Sequence, residues 1–179
     1  MKCCFIGHRT IIETKELKER LQNTIEKLIK EKDVKTFIFG SRSEFDFLCH
    51  KIVSNLMTIY PTIERVVYTC KSEFAVLKKD KTELEQIFSN TFKQDIVLCE
   101  YEKEIEHKTK FISGKASYIE RNQAMIDDSD FCVFYYDENY KPKTRKHKKS
   151  DALEYQPKSG TSLALKYAIQ KKKVIINVK

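Results

Sequence analysis

Four short polar stretches in this 179-residue sequence carry the residue types that anion chemistry needs. They are Gly7-His8-Arg9, Gly40-Ser41-Arg42-Ser43-Glu44-Phe45-Asp46, Asp137, and Ser159-Gly160-Thr161. Glycine lets a backbone turn sharply and approach a ligand closely. Arg9 and Arg42 can give bidentate, charge-assisted contacts to phosphate. Helices opening near Glu44 and Gly160 would aim free backbone N–H groups at the same anion. His8 has two readings: an acid or base near neutral pH, or a donor to a backbone carbonyl. A fifth cluster, Tyr118-Ile-Glu-Arg-Asn122, also has two. Arg121 and Asn122 position a ligand, or Arg121 pairs with Glu120 or Asp127 on the surface.

Several chemistries lack their motifs. The sequence contains neither GxGxxG after the first apolar run nor GxxxxGK[ST], so a dinucleotide fingerprint or a Walker-type phosphate loop is not expected. No GxSxG nucleophile elbow is present. None of the four histidines is paired at ligand spacing, and the six cysteines form no CxxC pair. We therefore expect no metal, no cofactor, and buried reduced thiols.

The polar stretches need elements to carry them. Short apolar runs at 3–6, 36–39, 65–69, 96–99, 130–136 and 174–178 read as strands. Leu17, Leu21, Ile25, Leu28 and Ile29 repeat at helical spacing after Thr14, which can cap them, with lysine following in the first turn. Phe45, Leu48, Ile52, Val53 and Leu56 mark a second helix over 44–57, ended by Tyr60-Pro61. A short helix is expected near 82–92, another over 118–128, and one opening at Ser159-Gly160-Thr161. The β-α-β-α-β order predicts an α/β fold, a Rossmann-like three-layer α/β/α domain over 1–179 with a mainly parallel sheet. Ligands of such sheets bind beyond the carboxyl ends of the strands, which is where the polar stretches fall.

Charge and composition narrow the partners. The net charge is +8, and residues 141–149 (KPKTRKHKK) carry six of the basic residues with no acid. Removing those six leaves +2, a near-neutral protein with one basic loop at about 138–158. That loop reads as a solvated flap, or as a phosphate clamp for nucleic acid, the less favoured partner. No apolar run approaches the ~20 residues of a membrane span, and the first residues do not read as a secretory signal. The expectation is a cytoplasmic protein with a small anionic ligand and no membrane partner; self-association is left open.

Taken together, CCFIGHRT, FGSRSEFD, YIERNQAMIDDSDFCVFYYDE and SGTSLALKYAIQKKKVIIN resemble the SLOG superfamily (Smf/DprA–LOG). Within it they look like the small YpsA-like branch of Gram-positive bacteria and their prophages. The likeness spans nearly the whole chain, with 71–115 and the basic loop poorly covered. It implies a Rossmann-like fold that binds nucleotide or ADP-ribose-type ligands. Relatives include phosphoribohydrolases that cleave nucleoside monophosphates, DprA-like DNA-processing proteins and nucleotide sensors of bacterial conflict systems.

Carried over by position, Glu120-Arg121-Asn122 followed by Met125 is similar to the Arg-Lys motif of the phosphoribohydrolases, so Arg121 takes the catalytic-arginine place. Ser159-Gly160-Thr161 is similar to the end of their PGGxGTxxE phosphate loop. The departures matter. The motif's glutamates fall at Leu163 and Ala164, Asn122 replaces the lysine, and the double glycine is gone. The branch's second loop reads GGALGFD; here Glu44 replaces its last glycine while Asp46 keeps the acidic position.

The expected function is a standalone nucleotide-binding or sensor protein. Gly7, Arg9, Gly40, Ser41, Gly160 and Thr161 would hold the anion, Arg121 and Asn122 would contact ribose or phosphate, and Asp46 a ribose hydroxyl. The alternative is a nucleoside 5'-monophosphate N-glycosidase, in which Glu44 or Asp46 assists water attack and Arg121 holds the phosphate. A third possibility is a DNA- or protein-interacting regulator acting through the basic loop.

Overall fold

The computed structural model describes residues 1–40, 43–69, 96–98, 115–141 and 159–179. The helix expected near 82–92, Ser41, Arg42 and the basic loop beyond 141 lie outside these residues. The strands are β1 (Lys2–Gly7), β2 (Thr36–Phe39), β3 (Glu64–Tyr68), β4 (Ile96–Leu98), β5 (Phe131–Tyr135) and β6 (Val174–Asn177). The helices are α1 (Lys15–Lys32), α2 (Glu44–Leu56), α3 (Lys115–Asp127) and α4 (Gly160–Gln170). Among the described residues, six strands form one sheet in the order β4-β3-β2-β1-β5-β6, and every pair is parallel. This is a Rossmann-like α/β fold.

Alternation along the strands builds the layers. Cys3, Phe5, Phe37, Phe39, Val133 and Tyr135 face one side, where Leu17, Leu21, Ile25 and Leu28 of α1 and Phe45, Leu48 and Val53 of α2 pack on them. Cys4, Ile6, Ile38, Cys132 and Phe134 face the other, under Met125 and Ile126 of α3 and Ala164 and Ala168 of α4. Both faces are covered, which is why β1, β2 and β5 read as continuous apolar runs rather than alternating ones. Three hydroxyls open three helices, each accepting from the amide three residues on. Thr14 Oγ1 takes Leu17 N at 3.2 Å, Ser43 Oγ takes Asp46 N at 2.9 Å, and Ser159 Oγ takes Ser162 N at 3.1 Å. The first turn of α1 also holds Glu16, which suits the helix dipole better than the lysine that sequence reading placed there.

The sheet order has one consequence for function. β1 lies between β2 and β5, so the chain runs outward through β2, β3 and β4, then returns to β1's other side. That reversal falls between β1 and β5, and open α/β sheets bind ligands beyond the carboxyl ends of the strands at such a point.

Candidate functional site

At the end of β1, Gly7 stands in register with Tyr135 of β5. A Cβ on Gly7 would lie 2.4 Å from Phe45 Cδ1 and Cγ, so the first turn of α2 sits directly on the strand end. Two contacts fasten that approach. Glu44 N donates to Arg9 O at 2.9 Å, and Glu44 Oε2 accepts from Ile11 N at 3.0 Å. One oxygen of Glu44 is thus engaged in joining α2 to the loop after β1. Arg9 is exposed on that loop.

Gly40, at the end of β2, is close-packed in the same way, but against polar groups. Its Cβ position lies 2.9 Å from both Arg121 Nη2 and Asp46 Oδ2. No described glycine adopts a positive φ. Gly7 and Gly40 are therefore needed for the side chain they lack, not for the sharp turn that sequence reading assigned to them.

Asp46 is 5% exposed. Its Oδ1 accepts from Gly40 N at 3.2 Å and its Oδ2 from the Ser43 hydroxyl at 2.7 Å, while its own amide donates back to Ser43 Oγ. This reciprocal pair is a capping box, legible as Ser43-Glu-Phe-Asp46. Sequence reading passed over Ser43 as a site-shaping residue. Burial pushes the Asp46 carboxyl above its ordinary value; the Arg121 guanidinium and the Ser43 and Gly40 hydrogen bonds pull against that rise.

Arg121 is 7% exposed and is not paired with Asp127, one of the two surface partners that the sequence offered it. Asp127 instead meets Lys171 at 3.2 Å and the Tyr167 hydroxyl at 2.8 Å. Arg121 Nη2 donates to Asn122 Oδ1 at 3.1 Å, and its Cζ lies 5.1 Å from the Tyr118 ring centre. Gly40, Asp46, Arg121 and Asn122 thus form one continuous group. Asn122 leads on to a groove of about 350 Å³ between α3 and α4, lined by Ile119, Gln123, Gly160, Leu163 and Tyr167 among others. Gly160 is exposed with nothing within 4 Å of its Cβ position, and Thr161 is buried behind it.

His8 and Asp137 meet beyond the ends of β1 and β5, but through the Asp137 backbone. Asp137 N donates to His8 Nε2 at 2.9 Å, and Asp137 O lies 3.2 Å from the same nitrogen. A backbone N–H can only donate, which makes Nε2 the acceptor and assigns the neutral ring's proton to Nδ1. Nδ1 is buried and has no hydrogen-bond partner among the described residues. The Asp137 carboxylate is tied to Asn139 N at 2.9 Å and Lys179 Nζ at 3.2 Å; the Asn139 amide, then Lys179, lowers its pKa. The His8 ring is 1% exposed and stacks on Tyr140 at 3.8 Å and 13°. Tyr140 lies at the edge of the basic loop and carries no motif by which sequence reading would find it.

Burial is the main cause that holds His8 below its ordinary 6.5. The unfolded chain then binds more protons than the native one just below pH 6.5, so stability is complete above 6.5 and falls as pH drops through the native value. Urea midpoints at pH 7.5 and 5.5 should show that His8→Gln flattens part of the acid loss. An unchanged pH dependence in the variant would mean that His8 is not its source.

No group of three or more His, Cys, Asp or Glu among the described residues could hold a metal ion. No described helix is long and apolar enough to cross a membrane. The family model for YpsA, described as the YspA SLOG family, matches residues 8–165. No curated protein matches the chain.

Proposed function

The chain belongs to the YpsA group of the SLOG family, and from that premise we propose that it binds a nucleotide-derived anion of the AMP or ADP-ribose kind. The observation that carries this reading is Arg121: a guanidinium 7% exposed, set against a glycine at a strand's carboxyl end and joined to Asn122. Arg121 and Asn122 would take ribose or phosphate. The amides at the start of α4, beside bare Gly160, would take a further phosphate oxygen. Asp46 would accept from a ribose hydroxyl with whatever capacity Ser43 and Gly40 leave it. A binding or sensor role suits the family's glutamate positions being Leu163 and Ala164. The four cysteines among the described residues, Cys3, Cys4, Cys49 and Cys132, are free and buried, which suits a reducing cytoplasm.

One observation favours a second reading, hydrolysis of a nucleotide N-glycosidic bond: Asp46 is a buried carboxyl with a raised pKa, the environment that acid–base catalysis exploits. Titration calorimetry with AMP, ADP-ribose and cyclic nucleotides separates the two when run beside a base-release assay. Heat without base release is expected, lost in Arg121→Ala. Base release abolished by Asp46→Asn and Glu44→Gln would move the protein to the second reading. Absence of heat from every nucleotide would overturn the first.

A further inference from the structure

The His8 imidazole has a neighbour that the reading above leaves without a role. Tyr140 lies on it nearly parallel, ring centres 3.8 Å apart, whereas Tyr135 and Tyr136 stand 6.3 and 5.8 Å away at steeper angles. Tyr140 is half-buried and ends a single tight turn, Tyr140 N donating to Asp137 O at 3.2 Å and Asn139 N to the Asp137 carboxylate. His8 follows Gly7 at the end of β1, and its Nε2 accepts from Asp137 N, the first residue of that same turn. The imidazole is thus fixed through Nε2 by the start of the turn, while the ring covering its face belongs to the turn's last residue. A buried Nδ1–H with no partner is costly unless something meets it in another state.

We propose that Tyr140 is a removable cover over His8, holding the stacking position that a planar heteroaromatic ring of a bound ligand takes. Stacking is tolerant of ring chemistry, since a phenol and a nucleobase both offer a flat π-face. Swinging the Tyr140 side chain aside, with Asp137 N still on Nε2, exchanges one stack for another on the imidazole face. The idea rests on the nucleotide reading for its ligand, but the cover itself can be tested without one.

Singlet oxygen adds across the imidazole π-face, the surface that Tyr140 covers, and peptide mass mapping separates His8 from the other histidines. At pH 7 His8 should react slowly in the wild type and in Tyr140→Phe, and at least tenfold faster in Tyr140→Ala. His50, also buried, serves as the folding control and should stay protected. Equal His8 rates in all three proteins would overturn the cover. A second measurement needs no variant. AMP should speed nitration of Tyr140 by tetranitromethane severalfold in the wild type, because the displaced ring becomes exposed. AMP that gives calorimetric heat but leaves Tyr140 nitration unchanged would sink this proposal and spare the nucleotide reading. No heat from AMP, ADP-ribose or the cyclic nucleotides would sink that reading and leave the cover to the His8 rates.

Discussion

Gly7→Ala should be among the most destabilising single-methyl additions in this protein. The added carbon would sit 2.4 Å from Phe45 Cδ1 and Cγ and 2.5 Å from Phe45 Cβ. A rotamer change can swing a ring away but cannot move a Cβ, so relief requires α2 to shift on the sheet. Phe45 is fully buried and packs against Tyr135 at 5.7 Å, so the shift would spread into the core. Overpacking of this kind costs about 1–3 kcal/mol, occasionally more, against a total stability of roughly 5–15 kcal/mol. Urea denaturation should show a lower midpoint with an unchanged slope. Gly160→Ala is the internal contrast: its Cβ meets open space at the first position of α4, so the change should be neutral or stabilising by less than ~1 kcal/mol. Equal midpoints for Gly7→Ala and wild type would show that Phe45 does not press on the strand end.

Arg121→Ala should cost more than Asp46→Asn, and the double variant less than Arg121→Ala alone. Removing Arg121 deprives the buried Asp46 carboxylate of the guanidinium that offsets its burial. The two groups face each other across the Gly40 Cβ position, 2.9 Å from each, rather than in a direct ion pair, so the cost should fall below the ~3–5 kcal/mol of breaking a directly paired buried charge. Asp46→Asn deletes that charge while keeping a carbonyl for Gly40 N or Ser43 Oγ. Adding it to Arg121→Ala should therefore restore part of the loss, a non-additivity that a double-mutant cycle reads directly. The pH response has a definite sign. Without Arg121 the native Asp46 pKa rises further above 3.8, so the native state binds more protons than the unfolded chain. The deficit of Arg121→Ala should then shrink on acidification toward pH 4. Simple additivity, or a deficit that does not change with pH, would mean that the two groups are not coupled.

The fold was largely legible because its signals are local. The run Thr36–Phe39 appears as a strand with the boundaries read from its apolar residues, and α1 begins behind Thr14 as its spacing requires. Both follow from covering the two faces of one sheet. The site was legible as a set of loops and not as a set of contacts. Nothing in the sequence says that Phe45 approaches Gly7, or that Gly40 makes room for Arg121. Arg121 illustrates the limit: Asp127 lies near it in sequence and pairs elsewhere, while the charge of Asp46 acts on it from another element. His8 meets Asp137 across 129 positions through backbone atoms, a contact that side-chain chemistry does not announce.

The placement of β1 in the middle of the sheet also sets the order in which the chain can assemble. Its β2 side is completed early in synthesis, whereas its β5 side waits for residues as remote as Asp130, whose carboxylate takes Lys2 N across 128 positions. Until β5 emerges, a nascent half-sheet presents the apolar edge of Cys3 to Ile6, an invitation to wrong strand pairing. Chaperone dependence and expression yield should therefore hinge on how soon the carboxyl-terminal third is translated, more than on the strength of any single contact in the finished molecule.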